Sequence, residues 1–70
     1  MKYDFIVFGG TGKEGRICSR DLLESGYSVL LAGRDKARVE GLIKNKKAGF
    51  IKVDLRNPNE IVNAINFSKA

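Results

Sequence analysis

An α/β fold built on a parallel sheet is predicted by three features of the sequence. Short apolar segments rich in β-branched and aromatic residues alternate with segments whose apolar residues recur every three or four positions, and a glycine-rich stretch joins the first pair. Strands that alternate with helices pair in parallel through right-handed crossovers, which places helices on both faces of the sheet. The 70 residues, 43% hydrophobic and 30% charged, suffice for one small domain that buries roughly 60% of the surface its unfolded chain exposes. This composition argues against disorder, a collagen-like repeat and a disulfide scaffold.

The first strand is expected from Tyr3 to Phe8, an apolar run that stops at Gly9-Gly10 as a buried strand stops at a turn. Gly15, Cys18, Ser19, Leu22, Leu23 and Gly26 then line one face of a helix, with Arg16, Arg20, Asp21 and Glu24 on the other. Gly26 ends that helix. Tyr27 to Ala32 forms the second strand, stopped by Gly33, and Asp35 caps a helix that buries Val39, Leu42 and Ile43. Lys44, Lys46 and Lys47 fall at its C-terminal end, where cations complement the helix dipole. Gly49 to Asp54 is the third strand. Asn57-Pro58-Asn59-Glu60 starts a third helix, carrying Ile61, Val62, Ala64 and Ile65 and expected to fade from Asn66 to Ala70.

Gly10-Thr11-Gly12-Lys13-Glu14-Gly15 spells G-x-G-x-x-G, and from Gly9 the stretch also fits G-x-x-G-x-x-G. The motif follows a strand, opens a helix and lies in a β-α-β unit of about 30 residues, which is the context that gives it meaning. In such a loop Gly10 allows the tight turn, Gly12 lets the backbone approach a pyrophosphate, and Gly15 lets the helix pack closely on the strand. The phosphates sit at the positive end of the helix, on amides without an intrahelical partner. The expected architecture is a Rossmann-type β-α-β-α-β-α half-domain spanning residues 1–70, with three parallel strands, read as stopping before a fourth.

The end of the second strand selects the dinucleotide. NAD sites place a carboxylate there, about 20 residues past the glycines, whereas NADP sites offer arginine. Here the strand ends Leu31-Ala32-Gly33-Arg34, so no carboxylate repels a 2′-phosphate and a planar guanidinium is at hand to grip one. Lys36 and Arg38 add to the positive field. Asp54 closes the third strand at the same edge, where it either accepts a hydrogen bond from the adenine amino group, with the Leu55 backbone beside it, or caps the local turn.

Thirteen Lys and Arg against eight Asp and Glu give a net charge of +5, which suits an anionic partner. The Lys44-Asn45-Lys46-Lys47 cluster is short and lacks interleaved aromatics, so nucleic acid is not the expected partner. Cys18 is the only cysteine and histidine is absent, which excludes a cysteine-rich zinc site, a Cys/His dyad and a Ser/His/Asp triad within the chain. On the inward face of its helix, Cys18 is expected to be a buried, inert thiol. No apolar run approaches the ~20 residues of a membrane span and no signal peptide opens the chain, so a cytoplasmic setting is expected.

Phe8-Gly9-Gly10-Thr11-Gly12-Lys13-Glu14-Gly15-Arg16, Leu31-Ala32-Gly33-Arg34-Asp35 and Lys52-Val53-Asp54-Leu55 together resemble the N-terminal NADP-binding segment of saccharopine dehydrogenase-like proteins, over nearly the whole chain. The resemblance implies an oxidoreductase whose Rossmann domain precedes a catalytic and dimerisation region. It also implies that Gly10, Thr11, Gly12 and Gly15 shape the phosphate loop while Arg34 reads the 2′-phosphate. Lys13 and Glu14 depart from the pattern, which is more often apolar there. The same motifs look like atypical short-chain dehydrogenases, although their catalytic Tyr-x-x-x-Lys does not occur: Val7 follows Tyr3 and Leu31 follows Tyr27 at that spacing. The glycine loop alone is similar to that of deazaflavin-dependent NADP reductases. A non-catalytic module that senses NADP is the other reading, and a fourth strand encoded beyond residue 70 would favour the enzyme over it. In the usual doubly wound order the first strand is flanked by the fourth, so an isolated half-domain exposes Tyr3 to Phe8 as an apolar edge and is expected to self-associate through it.

Overall fold

The structure, a computed structural model, describes residues 2–69. Its elements are β1 (Phe5–Phe8), α1 (Lys13–Glu24), β2 (Val29–Gly33), a 3-10 turn (Lys36–Val39) that leads into α2 (Glu40–Ile43), β3 (Ala48–Lys52) and α3 (Pro58–Lys69). The three strands form one parallel sheet in the order β1-β2-β3. Phe5 pairs with Val29 and Phe8 with Ala32, and Val29 pairs with Ala48 and Gly33 with Lys52. Together the strands and helices form an α/β, Rossmann-like half-domain. No helix among the described residues is long and apolar enough to cross a membrane.

The period-two alternation of each strand divides the core between the two faces. Val29 and Leu31 of β2 meet Leu23 of α1 and Val39, with Val7, Leu42, Ile43 and Phe50 packed around them. On the opposite face Ala32 meets Val53 and Ala64 of α3, backed by Ile6, Phe8, Ile51 and Ile61. α1 and α2 therefore cover one face and α3 the other. β2, central and covered on both faces, is buried throughout, and each of its large apolar side chains contributes about 1.5–3 kcal/mol by leaving water.

The strands are shorter or shifted relative to expectation. β1 begins at Phe5 because Tyr3 and Asp4 are committed elsewhere: the Tyr3 N–H donates to the Ser68 carbonyl at 2.7 Å, and the Asp4 carboxylate accepts from the Ser28 N–H at 2.9 Å. The strand is half-buried rather than buried, with Phe5 exposed, since among the described residues no strand flanks its outer side. β2 begins at Val29 because the Tyr27 and Gly26 amides close the C-terminus of α1, donating to Leu22 and Leu23 carbonyls at 3.1 and 3.0 Å. Gly26 takes φ +92° there, completing a Schellman motif. Asp54 lies beyond β3, in a turn of its own.

Asp35 caps as expected, its carboxylate accepting from the Ala37 N–H at 3.1 Å. The segment after it is a 3-10 turn followed by a single α-turn instead of one continuous helix. Asn57 accepts from the Asn59 N–H at 3.0 Å, and Pro58 opens α3. The helix does not fade at Asn66. It runs to Lys69, held by buried Ser68 and by the stacking of Phe67 on Tyr3 at 6.4 Å. Val62 is exposed.

Cys18 is exposed, not buried. The inward face of α1 runs through Gly15, Ser19, Leu22 and Leu23, while Arg16, Ile17 and Arg20 turn toward α2. At 100° per residue Cys18 falls on the flank away from α2, and it is exposed there.

Candidate functional site

The loop after β1 is shaped by its glycines, in roles that differ partly from those expected. Gly9, not Gly10, adopts the left-handed conformation that turns the chain, at φ +72°. Gly10 is required for packing: its N–H donates to the Ala32 carbonyl at 3.1 Å, and a Cβ would stand 3.0 Å from the Val7 carbonyl oxygen and 3.1 Å from Leu31 Cβ. A Cβ on Gly15 would collide with the Gly9 carbonyl oxygen, so the first turn of α1 presses on the loop itself rather than on the strand.

Gly12 is the N-cap of α1, in extended conformation, and among the described residues no side chain caps the helix. The N–H groups of the first turn thus lack the partner that Ser, Thr or Asp normally supplies. They lie at the positive end of a 12-residue helix, an arrangement that favours anions.

Beside this helix start lies a cleft of about 320 Å³ at the carboxyl ends of the strands, between the loop (Gly9, Thr11, Gly12), Gly33 at the end of β2 with Arg34 just after it, and the chain beyond β3 (Val53 to Arg56). Buried Val53 closes its floor, held by a hydrogen bond from its N–H to the Gly33 carbonyl at 2.9 Å. Arg34 is exposed and has no ion-pair partner among the described residues.

Of the candidate residues, Gly9, Thr11, Gly12, Arg34, Asp54 and Leu55 meet at this cleft, with Gly10 and Gly15 packed in the loop behind it. Lys13 and Glu14 are exposed on the first turn and do not line it. Lys13 opens instead onto a second groove of about 420 Å³ between α1 and α2, together with Arg16, Arg20 and Arg38. Arg38 is paired with Asp35 at 3.3 Å.

Sequence reasoning missed Arg56. The Asp54 carboxylate accepts three hydrogen bonds from it: from the backbone N–H to Oδ1 at 2.9 Å, from Nε to Oδ1 at 3.1 Å, and from Nη2 to Oδ2 at 3.0 Å. The side-chain and then the backbone hydrogen bonds of Arg56 hold the Asp54 carboxyl at about 2, and the charge of Arg34 adds to this. Asp54 raises Arg56 in return. The turn is closed further by the Asp54 N–H, which donates to Glu60 Oε1 at 3.2 Å, and by the Asn57 N–H, which donates to the Asp54 carbonyl at 2.9 Å. Asp54 is therefore a turn cap. A carboxylate offers about four lone-pair sites, so Oδ2 keeps one for a further donor. The signal for Arg56 was the spacing Asp-x-Arg in a turn.

No protein-family model matches the chain, and no curated protein does. Two solved structures are similar to it. The closed form of a serine dehydrogenase complexed with NADP+ superposes with a TM-score of 0.79 over 94% of this chain, at 24% identity. A short chain dehydrogenase/reductase family protein superposes with a TM-score of 0.78 over 91%, at 26% identity. The chain spans 27% and 28% of their respective lengths. It thus has the fold of about a quarter of a dehydrogenase of this architecture, with its cleft at the carboxyl ends of the strands where open α/β sheets bind ligands.

Proposed function

We propose that the chain binds the pyrophosphate and 2′-phosphoadenosine end of NADP(H) and forms the first half of the cofactor domain of an NADP-dependent oxidoreductase. The observation that carries this reading is the uncapped start of α1 opening beside a cleft in which β2 ends in Gly33 and is followed by Arg34, which has no ion-pair partner among the described residues. The backbone amides receive the pyrophosphate, Gly12 lets it approach, and Arg34 grips the 2′-phosphate with a charge-assisted contact. Asp54, the one carboxylate lining the cleft among the described residues, is already neutralised by Arg56 and so repels a phosphate little. When bound, the nicotinamide supplies hydride transfer; this chain's residues hold and orient the opposite end of the molecule. No catalytic residue is assigned within it. The similar structures support a parent of the short-chain dehydrogenase/reductase kind over a saccharopine dehydrogenase-like one.

Calorimetric titration with NADP(H) and NAD(H) tests the reading. Tighter binding of NADP(H) is expected, and Arg34→Ala should weaken it by about 1.5–3 kcal/mol, or about ten- to a hundredfold, while leaving NAD(H) nearly unchanged. Equal losses for the two cofactors, or preference for NAD(H) in the starting chain, would overturn the assignment.

A further inference from the structure

We propose that Arg56 is the stacking platform for the adenine base, an inference that rests on the dinucleotide reading of the cleft. Adenine needs a flat partner, and no aromatic side chain of the described residues lines this cleft. The planar groups that do are the guanidinia of Arg34 and Arg56, and bases stack on guanidinium planes as they do on aromatic rings.

The two arginines are held differently. Arg34 has no ion-pair partner among the described residues, whereas Arg56 is locked by its Nε and Nη2 edge to both oxygens of Asp54. A fork gripped along one edge keeps its plane fixed and its faces free. Those faces are open, since 83% of the Arg56 side chain is exposed. Its charge is already compensated by Asp54, so what Arg56 offers a ligand is its plane more than its cation. Half-exposed Leu55 beside it adds an apolar edge.

The lock is not needed to hold the turn. The Asn57 N–H to Asp54 carbonyl bond and the Asp54 N–H to Glu60 bond already close it, and exposed ion pairs add little stability. Preorganisation of a ligand-facing plane accounts for a two-point contact on so exposed a side chain. It also divides the work, with phosphate to the free arginine and base to the pinned one.

Adenosine 2′,5′-bisphosphate and inorganic pyrophosphate, titrated into the chain and its Arg56→Lys and Arg56→Tyr variants, separate plane from charge. Arg56→Lys keeps the charge and loses the plane, so its affinity for the adenosine ligand should fall about two- to fivefold with pyrophosphate binding unchanged. Arg56→Tyr restores a plane without charge and should recover most of that loss. In the starting chain the adenosine ligand should move the Arg56 δ-methylene proton resonances upfield by ring current, and pyrophosphate should not. If the adenosine ligand binds while these protons stay put and Arg56→Lys binds it equally well, the platform is disproved and the dinucleotide reading stands. A folded starting chain that binds no adenosine ligand would overturn both.

Discussion

Gly33, the last residue of β2, faces Thr11 so closely that a Cβ on it would stand 2.7 Å from Thr11 Cγ2 and 2.8 Å from Oγ1. The missing carboxylate at this position therefore has a packing cause as well as an electrostatic one. Gly33→Asp alone should disturb the loop and weaken both cofactors, whereas Gly33→Asp combined with Thr11→Gly makes room for the carboxylate. The double variant should favour NAD(H) by about tenfold more than the single one, the equivalent of about 1.4 kcal/mol. Titration of both variants with both cofactors decides this; a single variant that takes NAD(H) as well as the double would show that Thr11 does not set the preference.

The glycines of the loop should separate binding from stability. Gly12 has an ordinary extended conformation, and a Cβ there would meet only the Gly9 carbonyl oxygen, at 3.3 Å. Gly12→Val should leave the circular dichroism spectrum intact and abolish dinucleotide binding, because its branches stand where the pyrophosphate meets the backbone. Gly15→Ala places a methyl into the Gly9 carbonyl and should cost about 1–3 kcal/mol of stability. A Gly12→Val chain that still binds, or a Gly15→Ala chain of unchanged melting temperature, would contradict these roles.

Acid should destabilise the chain over a defined window. Asp54 is held at about 2 by Arg56, and Asp4 is lowered by the Ser28 backbone N–H and then its hydroxyl, both from an ordinary 3.8. A carboxyl lowered on folding contributes stability that is fully present above its unfolded value and is lost as pH falls through its folded value. Stability should therefore decline from about pH 4 toward pH 2. Asp4→Asn should make the decline shallower, and an acid titration monitored by circular dichroism that is identical for both chains would rule Asp4 out.

We propose that the free side of β1 recruits a second copy of the chain, since an apolar edge with unpaired backbone groups is a pairing template. Phe5, the first residue of that strand, is 41% exposed and meets Tyr27 edge-on at 5.1 Å. Ile6 faces the α3 side of the core, so a charge at Ile6 would test folding instead of pairing; Phe5→Lys is the informative change. Light scattering should show association that grows with concentration and is suppressed by Phe5→Lys. A chain that stays monomeric at high concentration would end the idea.

The order of elements, the glycine loop, the Asp35 cap, the Gly26 stop and the placement of Arg34 at the strand ends were all legible in the amino-acid sequence. Each depends on local physics: side-chain period, a capping carboxylate, or a φ that only glycine adopts readily. What the sequence alone left undecided depends on contacts between residues far apart in the chain. Tyr3 and Asp4 leave β1 because Ser68 and Ser28 claim them, and Cys18 reaches solvent because of which flank of α1 meets α2. The role of Gly33 emerges only when Thr11 is folded against it. Arg56 is a local pair with Asp54, yet its place on the cleft wall needed the sheet, because parallel pairing brings the carboxyl ends of all three strands to one edge.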